Sequence, residues 1–431
     1  MTEENKSGLK SFSKNFWTVI VMEFFERGSY YGVASVLSVY LTISIADGGL
    51  GFSKQSVGVI SSVTRPLLYF LPIISGAIAD RFGYRITLLF AFIVMSLGYF
   101  LTSLVTTYEL VFLSLILMVL GAGFFKPIIS GTIARSTTEK NSTLGFGIFY
   151  WTINLGAFIF PLILVPWLKS ISWTLIFIMA SIGTGWLVIL NLFIYKEPAK
   201  PASSKPLPQV LKDMVYVLKD FKFVIMIVIY SGFWILYFQM FDSVLWYLKD
   251  HINMAPVDSA VNSLLSLFVS NPNWKFDAEH VTALNAFTII ALQLIVSNIV
   301  KNTKALPTMI TGIAMGTVGI TMLAISSNAW WFFTAMIIFS IGEMTAHPKF
   351  ISYIGLIAPE DKKALYLGYS FLYGVIGSGI GGILGAWLYT SLIEKANAPA
   401  TFWLIFSGIG LLTMIGLLIY NKLYSSKPAQ S

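Results

Sequence analysis

Glu23-Phe24-Phe25-Glu26-Arg27 interrupts an apolar run that extends from about residue 15 to residue 43. That run is long enough to cross a bilayer core, for which about 20 apolar residues suffice. A charged side chain at mid-bilayer costs roughly 2.5–3.5 kcal/mol on insertion scales, so three on one helix need a reason. Helical geometry puts Glu23 one turn from both Glu26 and Arg27, with Tyr30 and Tyr31 a turn further along the same stripe. Two carboxylates and one guanidinium sum to minus one. Such a cluster takes up a proton readily when a second, movable cation competes for it.

The rest of the chain repeats the apolar pattern. Charged residues make up 11% of the 431 and hydrophobic ones 56%, with a mean hydropathy of +0.77. Soluble domains carry roughly 25% charged residues and need a polar exterior that this composition cannot supply. A soluble enzyme, a disordered chain and a nucleic-acid binder are thereby excluded. The absence of cysteine removes disulfides, thiolate metal sites and cysteine nucleophiles.

Hydropathy predicts helices at about 15–43, 55–79, 86–106, 108–133, 144–168 and 172–195. A second set is predicted at about 222–248, 282–300, 306–326, 330–357, 363–390 and 400–424. The expected fold is an all-α membrane protein with twelve transmembrane helices in two six-helix bundles, 15–195 and 222–424. A tail, 1–14, precedes them and another, 425–431, follows. The linker, 196–221, holds Pro198, Pro201, Pro206 and Pro208 with Ser203 and Ser204, which reads as a semi-extended tether. Between the seventh and eighth helices, Asp258–Val269 reads as a short amphipathic helix.

With the N-terminus inside, most loop cations fall on one side. They include Lys6, Arg81, Arg85, Arg135, Lys140, Lys196, Lys200, Lys205, Lys301, Lys304, Lys362 and Lys427. The positive-inside rule then places both termini in the cytoplasm, and the +8 balance reads as loop charge rather than a phosphate-binding surface.

Further charges lie inside predicted helices. Lys126, followed by Pro127, stands at the same depth as Glu23, about one-third of the way in from the cytoplasmic ends, and the two are spaced to pair. A static ion cluster gluing two helices is the bland alternative. Glu343 lies near the middle of the tenth helix, with His347 one turn on, spaced to share a proton. Its bland alternative is a carboxylate meeting a local hydrogen-bond need. Arg65, before Pro66, lies near the midplane with Tyr69 one turn away, whereas Asp242 reads as reaching the outer interface. His251 and His280 read as solvated loop residues. The run Gly377-Ser378-Gly379-Ile380-Gly381-Gly382 lies in an apolar helix with no Lys-Ser/Thr after it, which points to close packing and not to phosphate. Neither a Walker sequence nor a His-Glu-x-x-His pair occurs.

Gly76-Ala77-Ile78-Ala79-Asp80-Arg81-Phe82-Gly83-Tyr84-Arg85 resembles the loop between the second and third helices of the major facilitator superfamily. Glu23-x-x-Glu26-Arg27 with Tyr30-Tyr31-Gly32 resembles the first-helix motif of its proton-dependent oligopeptide transporters (POT). Phe149-Tyr150-Trp151-Thr152-Ile153-Asn154-Leu155-Gly156 is similar to their fifth-helix motif. Lys126, Phe233-Trp234, Leu284-Asn285 and Gly342-Glu343-Met344 fall where that family has its fourth-, seventh-, eighth- and tenth-helix positions.

The resemblance implies a proton-coupled symporter importing di- or tripeptides by alternating access. It implies that Glu23, Glu26, Arg27, Lys126 and Glu343 couple protons. Tyr30, Tyr31, Tyr69 and Asn154 would line the cavity, Lys126 and Asn285 would hold the peptide carboxylate, Glu343 the amino group, and Trp234 would wall the pocket. Departures from the family pattern are Ala34 for an arginine, Phe238 for an acid and His347 for a serine. Arg65 is expected to stand in for the missing first-helix cation, beside His347 on the substrate side. The alternative cargo is another small organic anion or a modified peptide. An acyl-transfer enzyme built on His347 is the rival from another class, and no activated partner for that histidine supports it. The expected partners are peptide, protons and lipid bilayer, with no cofactor, metal or nucleic acid. A monomer in the inner cell membrane is expected.

Overall fold

The computed structural model describes residues 8–138, 141–197 and 207–424, and every regular element among them is helical. Lys6, Lys140, Pro198, Lys200, Pro201, Ser203, Ser204, Lys205, Pro206 and Lys427 lie outside the described residues. Among the described residues, eleven helices are long and apolar enough to cross a membrane. In chain order they are Lys54–Phe82, Tyr84–Leu104, Tyr108–Arg135, Ser142–Ile171, Thr174–Phe193, Phe221–Phe241, Ala278–Val300, Ala305–Ile325, Ala329–Ile357, Leu365–Lys395 and Pro399–Tyr424. Lys14–Ala34 precedes them and is less apolar, carrying Glu23, Glu26 and Arg27 at its centre. Counted with it, the helices number twelve, and the protein is a multi-pass integral membrane protein. Below they are named first to twelfth.

The helices form two compact units. Met1–Ala34 groups with Leu67–Met214, and Ser35–Pro66 with Val215–Ser431. The sequence boundary at the linker is therefore not the only one that the packing draws. The first helix stops at Ala34, and a separate short helix, Leu37–Thr42, follows within the second unit. Pro66 marks the changeover within the second helix, consistent with the hydrogen bond that proline removes.

Two expectations need correction. Part of the linker is not extended, because Leu207–Leu218 is helical. Pro208 lies in its first turn, where a missing N–H has no partner to lose. His280 is 3% exposed rather than solvated. Its Nδ1 accepts the Asp277 N–H at 3.0 Å and, with the Asp277 side chain, closes a capping box at the start of the eighth helix. The amphipathic segment of the outer loop is present as Ala255–Leu265.

The loop between the second and third helices is fixed within the first unit. Gly83 has φ +101°, a conformation that side chains avoid. The Glu197 carboxylate then accepts the Tyr84 and Arg85 N–H groups at 2.6 and 2.7 Å. A carboxylate at a helix N-terminus meets both orphan donors and the positive end of the dipole. Arg135 reaches Asp80 at 3.2 Å, and Asn191 Nδ2 donates to the Arg85 carbonyl at 2.9 Å.

Elsewhere small residues let backbones touch, since in lipid close van der Waals packing replaces the hydrophobic drive. The glycine run of the eleventh helix acts this way. A methyl group on Gly377 would meet Trp234 Cβ at 2.6 Å, and one on Gly382 would meet the Gly58 carbonyl at 2.9 Å. A methyl group on Gly342, next to Glu343, would meet the Gly312 carbonyl and the Gly316 nitrogen of the ninth helix at 2.5 Å. Gly342→Ala is expected to cost about 1–3 kcal/mol through overpacking. The thermal unfolding midpoint of purified protein should fall, whereas Gly355→Ala, with no atom within 4 Å of the added carbon, should leave it in place.

Candidate functional site

The first unit buries the charge cluster of the first helix. Glu23, Glu26 and Arg27 are 3%, 0% and 4% exposed. Arg27 clamps Glu26 with two donors, Nη2 to Oε1 at 2.6 Å and Nε to Oε2, while Glu23 Oε1 lies 3.7 Å from Nε. The fork geometry of the guanidinium suits this bidentate contact. The tight pair therefore joins sequence neighbours, although helical spacing favours Glu23 with Arg27. Arg27 also lies over the Tyr30 ring at 5.0 Å, and Tyr30 meets Tyr31 edge-on at 5.2 Å.

Small residues bring the neighbouring helices up to this cluster. A methyl group on Gly28 would overlap the Phe160 ring at 2.4 Å, and one on Gly156 would lie 2.9 Å from the Gly28 nitrogen. The fifth helix is thus pressed against the charged turn. On the fourth helix, Lys126 acts electrostatically on Arg27, Glu23 and Glu26. Ser75 Oγ donates to the Gly123 carbonyl at 2.8 Å, fixing the second helix on the fourth. That contact sets the Tyr69 ring 5.3 Å from the Lys126 ammonium. Asn154, 7% exposed, turns its amide to its own helix, donating to the Tyr150 carbonyl at 3.0 Å.

The second unit holds the other predicted residues. Asn285 Nδ2 donates to Glu343 Oε2 and to Ser340 Oγ, both at 2.9 Å. Asn285 therefore serves the acid here. His347 Nδ1 lies 3.3 Å from Tyr230 Oη, and its ring stands edge-on to Trp234 at 5.3 Å and Tyr373 at 5.6 Å. Trp234 is 4% exposed within this aromatic group.

Asp242 requires a correction. It does not reach the interface but is 3% exposed, at a break between Gln239–Phe241 and Ser243–His251. Arg65 grips it with both nitrogens, at 2.5 and 2.8 Å, and Ser61 Oγ adds a contact at 3.3 Å. Phe238 and Phe241 each lie 5.8 Å from the Arg65 guanidinium. The resemblance puts an acid at 238; here a buried acid stands four residues later, at that break.

A model of the Major Facilitator Superfamily matches residues 17–274 and 259–431. The chain belongs to that superfamily. Transporter YclF of Bacillus subtilis, described as uncharacterized, is 31% identical over 193 residues, 44% of this chain and 38% of that protein. A di-/tripeptide transporter of Lactococcus lactis is 30% identical over 65% of the chain and 56% of its own length. The chain spans about half the length, or less, of these curated relatives. A crystal structure of a POT family transporter in complex with 5-aminolevulinic acid superposes with a TM-score of 0.79 at 20% identity. The match covers 97% of this chain and 98% of that one, and at such identity the likeness is one of fold.

Three residues, Tyr99, Tyr230 and Tyr373, escaped the sequence reading, and Asp242 reads there as reaching the interface. Asp242 was legible in principle, since it stands four residues after Phe238. Tyr230 and Tyr373 carry no motif, and Tyr99, fully buried, reads in sequence as one more ring in an apolar helix. The buried ion pair generates a test. Arg65→Ala strands the Asp242 charge and should cost about 3–5 kcal/mol. Thermal unfolding should record that loss, with most of it recovered in the Arg65→Met, Asp242→Leu double variant.

Proposed function

We propose that this chain is a proton-coupled symporter that imports small peptides by alternating access. The observation that carries the reading is the buried Glu23, Glu26 and Arg27 trio with Lys126 within electrostatic reach. Acids and cations in hydrocarbon mark ion pathways by default. A di-/tripeptide transporter among the relatives supports the cargo, and the POT fold supports proton drive.

In this reading Glu23 holds Lys126 while the carboxylates are ionised. A proton from outside neutralises the acid side of the cluster and releases Lys126 to a substrate carboxylate. Tyr30, Tyr31, Tyr69 and Asn154 supply rings and hydrogen-bond groups around it. Glu343, oriented by Asn285, takes the amino group, and Trp234 and His347 face the side chains. A zwitterionic peptide offers opposite charges at its two ends, and fixed charges of both signs match them. Proton and peptide together favour one conformation, which is a population shift with two ligands. Arg65, neutralised by Asp242, orients that side of the site instead of presenting a bare cation. The protein acts as a monomer without a cofactor, in the inner cell membrane with both termini cytoplasmic, as its loop lysines and arginines indicate.

A second reading keeps the fold and changes the cargo to another small organic anion or a modified peptide. The positions Ala34, Phe238 and His347 favour it, and a solved relative of the same fold holds 5-aminolevulinic acid.

Purified protein in sealed vesicles should take up di- and tripeptides faster when the outside is more acidic. Glu23→Gln should still exchange bound substrate across the membrane yet lose accumulation against a gradient. Full accumulation by that variant would overturn the coupling assignment. Uptake of carboxylates but of no peptide would transfer the case to the second reading.

A further inference from the structure

The helix Ala255–Leu265 lies between the seventh and eighth spanning helices and takes no part in the charge networks described above. Val257, Val261 and Leu264 fall on one of its faces at helical spacing. Burial drops along that stripe. Val257 is 1% exposed, Val261 is half-buried and Leu264 is 64% exposed. The apolar residues continue past the helix as Leu267, Phe268 and Val269, all exposed, with Phe268 at 83%. Ser259, Ser263 and Ser266 are exposed on the opposite face. No charged residue stands between Asp258 and Lys275.

Both ends of this helix are tied to the first turns of spanning helices. Just before it, Asn253 forms a backbone bridge with Asn328, whose side chain accepts the Trp330 and Trp331 N–H groups at the start of the tenth helix. Toward its far end, Asn262 Nδ2 donates to the Trp274 carbonyl and Oδ1 accepts the Trp274 N–H, both at 2.8 Å. The Trp274 ring stands edge-on to His280, in the first turn of the eighth helix, at 4.8 Å. Asp258 accepts the Phe276 N–H at 2.8 Å, and the Phe276 ring meets Phe333 at 6.1 Å. Trp330 and Trp331 are themselves exposed, the placement that tryptophan favours at a membrane–water boundary. The helix is therefore held at that depth, and its apolar stripe runs off the edge of its own bundle.

We propose that Leu264, Leu267, Phe268 and Val269 seat in the lipid at this boundary, so that the loop anchors the starts of the eighth and tenth helices to the bilayer. The patch continues a surface that already faces lipid, to which the exposed Phe287 and Trp330 belong. A protein partner fits less well, because a stable protein interface uses about 20–30 residues a side and this tip offers four. A tip without charge enters the boundary with no ion to strip of water. Asn262 and Asp258 have already ordered its backbone, so seating it loses little chain freedom.

The chain has no cysteine, so each single-cysteine variant carries one nitroxide label. Leu264→Cys, Leu267→Cys and Phe268→Cys report on the tip, and Ser259→Cys and Ser263→Cys on the opposite face. The labelled full chains are placed in vesicles of phosphatidylethanolamine and phosphatidylglycerol. Collisions with oxygen, which concentrates in lipid, are then compared with those of a water-soluble nickel chelate. The tip labels should favour oxygen and lie about 5–10 Å into the headgroup and acyl boundary, while the serine-face labels meet the chelate freely. All five side chains are exposed, so unfolding midpoints should match the parent's, and three tip positions leave a reading if one variant folds poorly. Tip labels as open to the chelate as the label at 259 overturn the proposal, since the tip then stands in water. Labels closed to both reagents and broadened by neighbouring spins overturn it as well, because a second copy of the chain is then the occupant.

Discussion

Charge inside hydrocarbon is tolerated only where it is matched, and that constraint organises both units. Arg27 divides its donors unequally, two to Glu26 and a longer contact to Glu23. One carboxylate is thus firmly held and the other lightly. In the proposed coupling, the lightly held Glu23 is the acid that changes partner when a proton arrives. A symmetric clamp on a single acid would be merely a structural ion pair. Arg65 and Asp242, bidentate and almost fully buried, come closer to that second kind.

Matching charges requires helices to approach closely, and small side chains permit it. Gly28 and Gly156 bring the first and fifth helices together at the charged turn. Gly312, Gly316 and Gly342 do the same beside Glu343, and the glycines of the eleventh helix lie against the seventh. The polar and small residues therefore form one design, because a bulkier residue at these contacts would separate the groups that neutralise each other.

Much of the fold was legible. Twelve apolar runs and their spacing follow from composition and periodicity, since a bilayer imposes span length on any sequence that crosses it, whereas the Gly76–Arg85 stretch was legible through its resemblance to the superfamily. Breaks within runs were not legible. The stop at Ala34, the interruption at Asp242 and the helix after Pro206 depend on which carbonyls and donors find partners elsewhere. Hydropathy does not record such partners. His280 shows the same limit, since a residue read as a loop histidine is a buried helix cap that closes a capping box with Asp277.

Of the candidate site, the sequence by itself determined which residue types lie within the bilayer: the acids at 23, 26 and 343, the cations at 27, 65 and 126, and the tyrosines beside them. Insertion cost alone singles these out, whatever the packing. Only the tertiary structure decided who partners whom. Arg27 chose its neighbour Glu26 over the residue one turn back, Asn285 went to Glu343, and Arg65 went to an acid four residues beyond Phe238. Partner choice depends on side-chain direction and on helix separations of a few ångström, and neither is written in the order of residues along one helix.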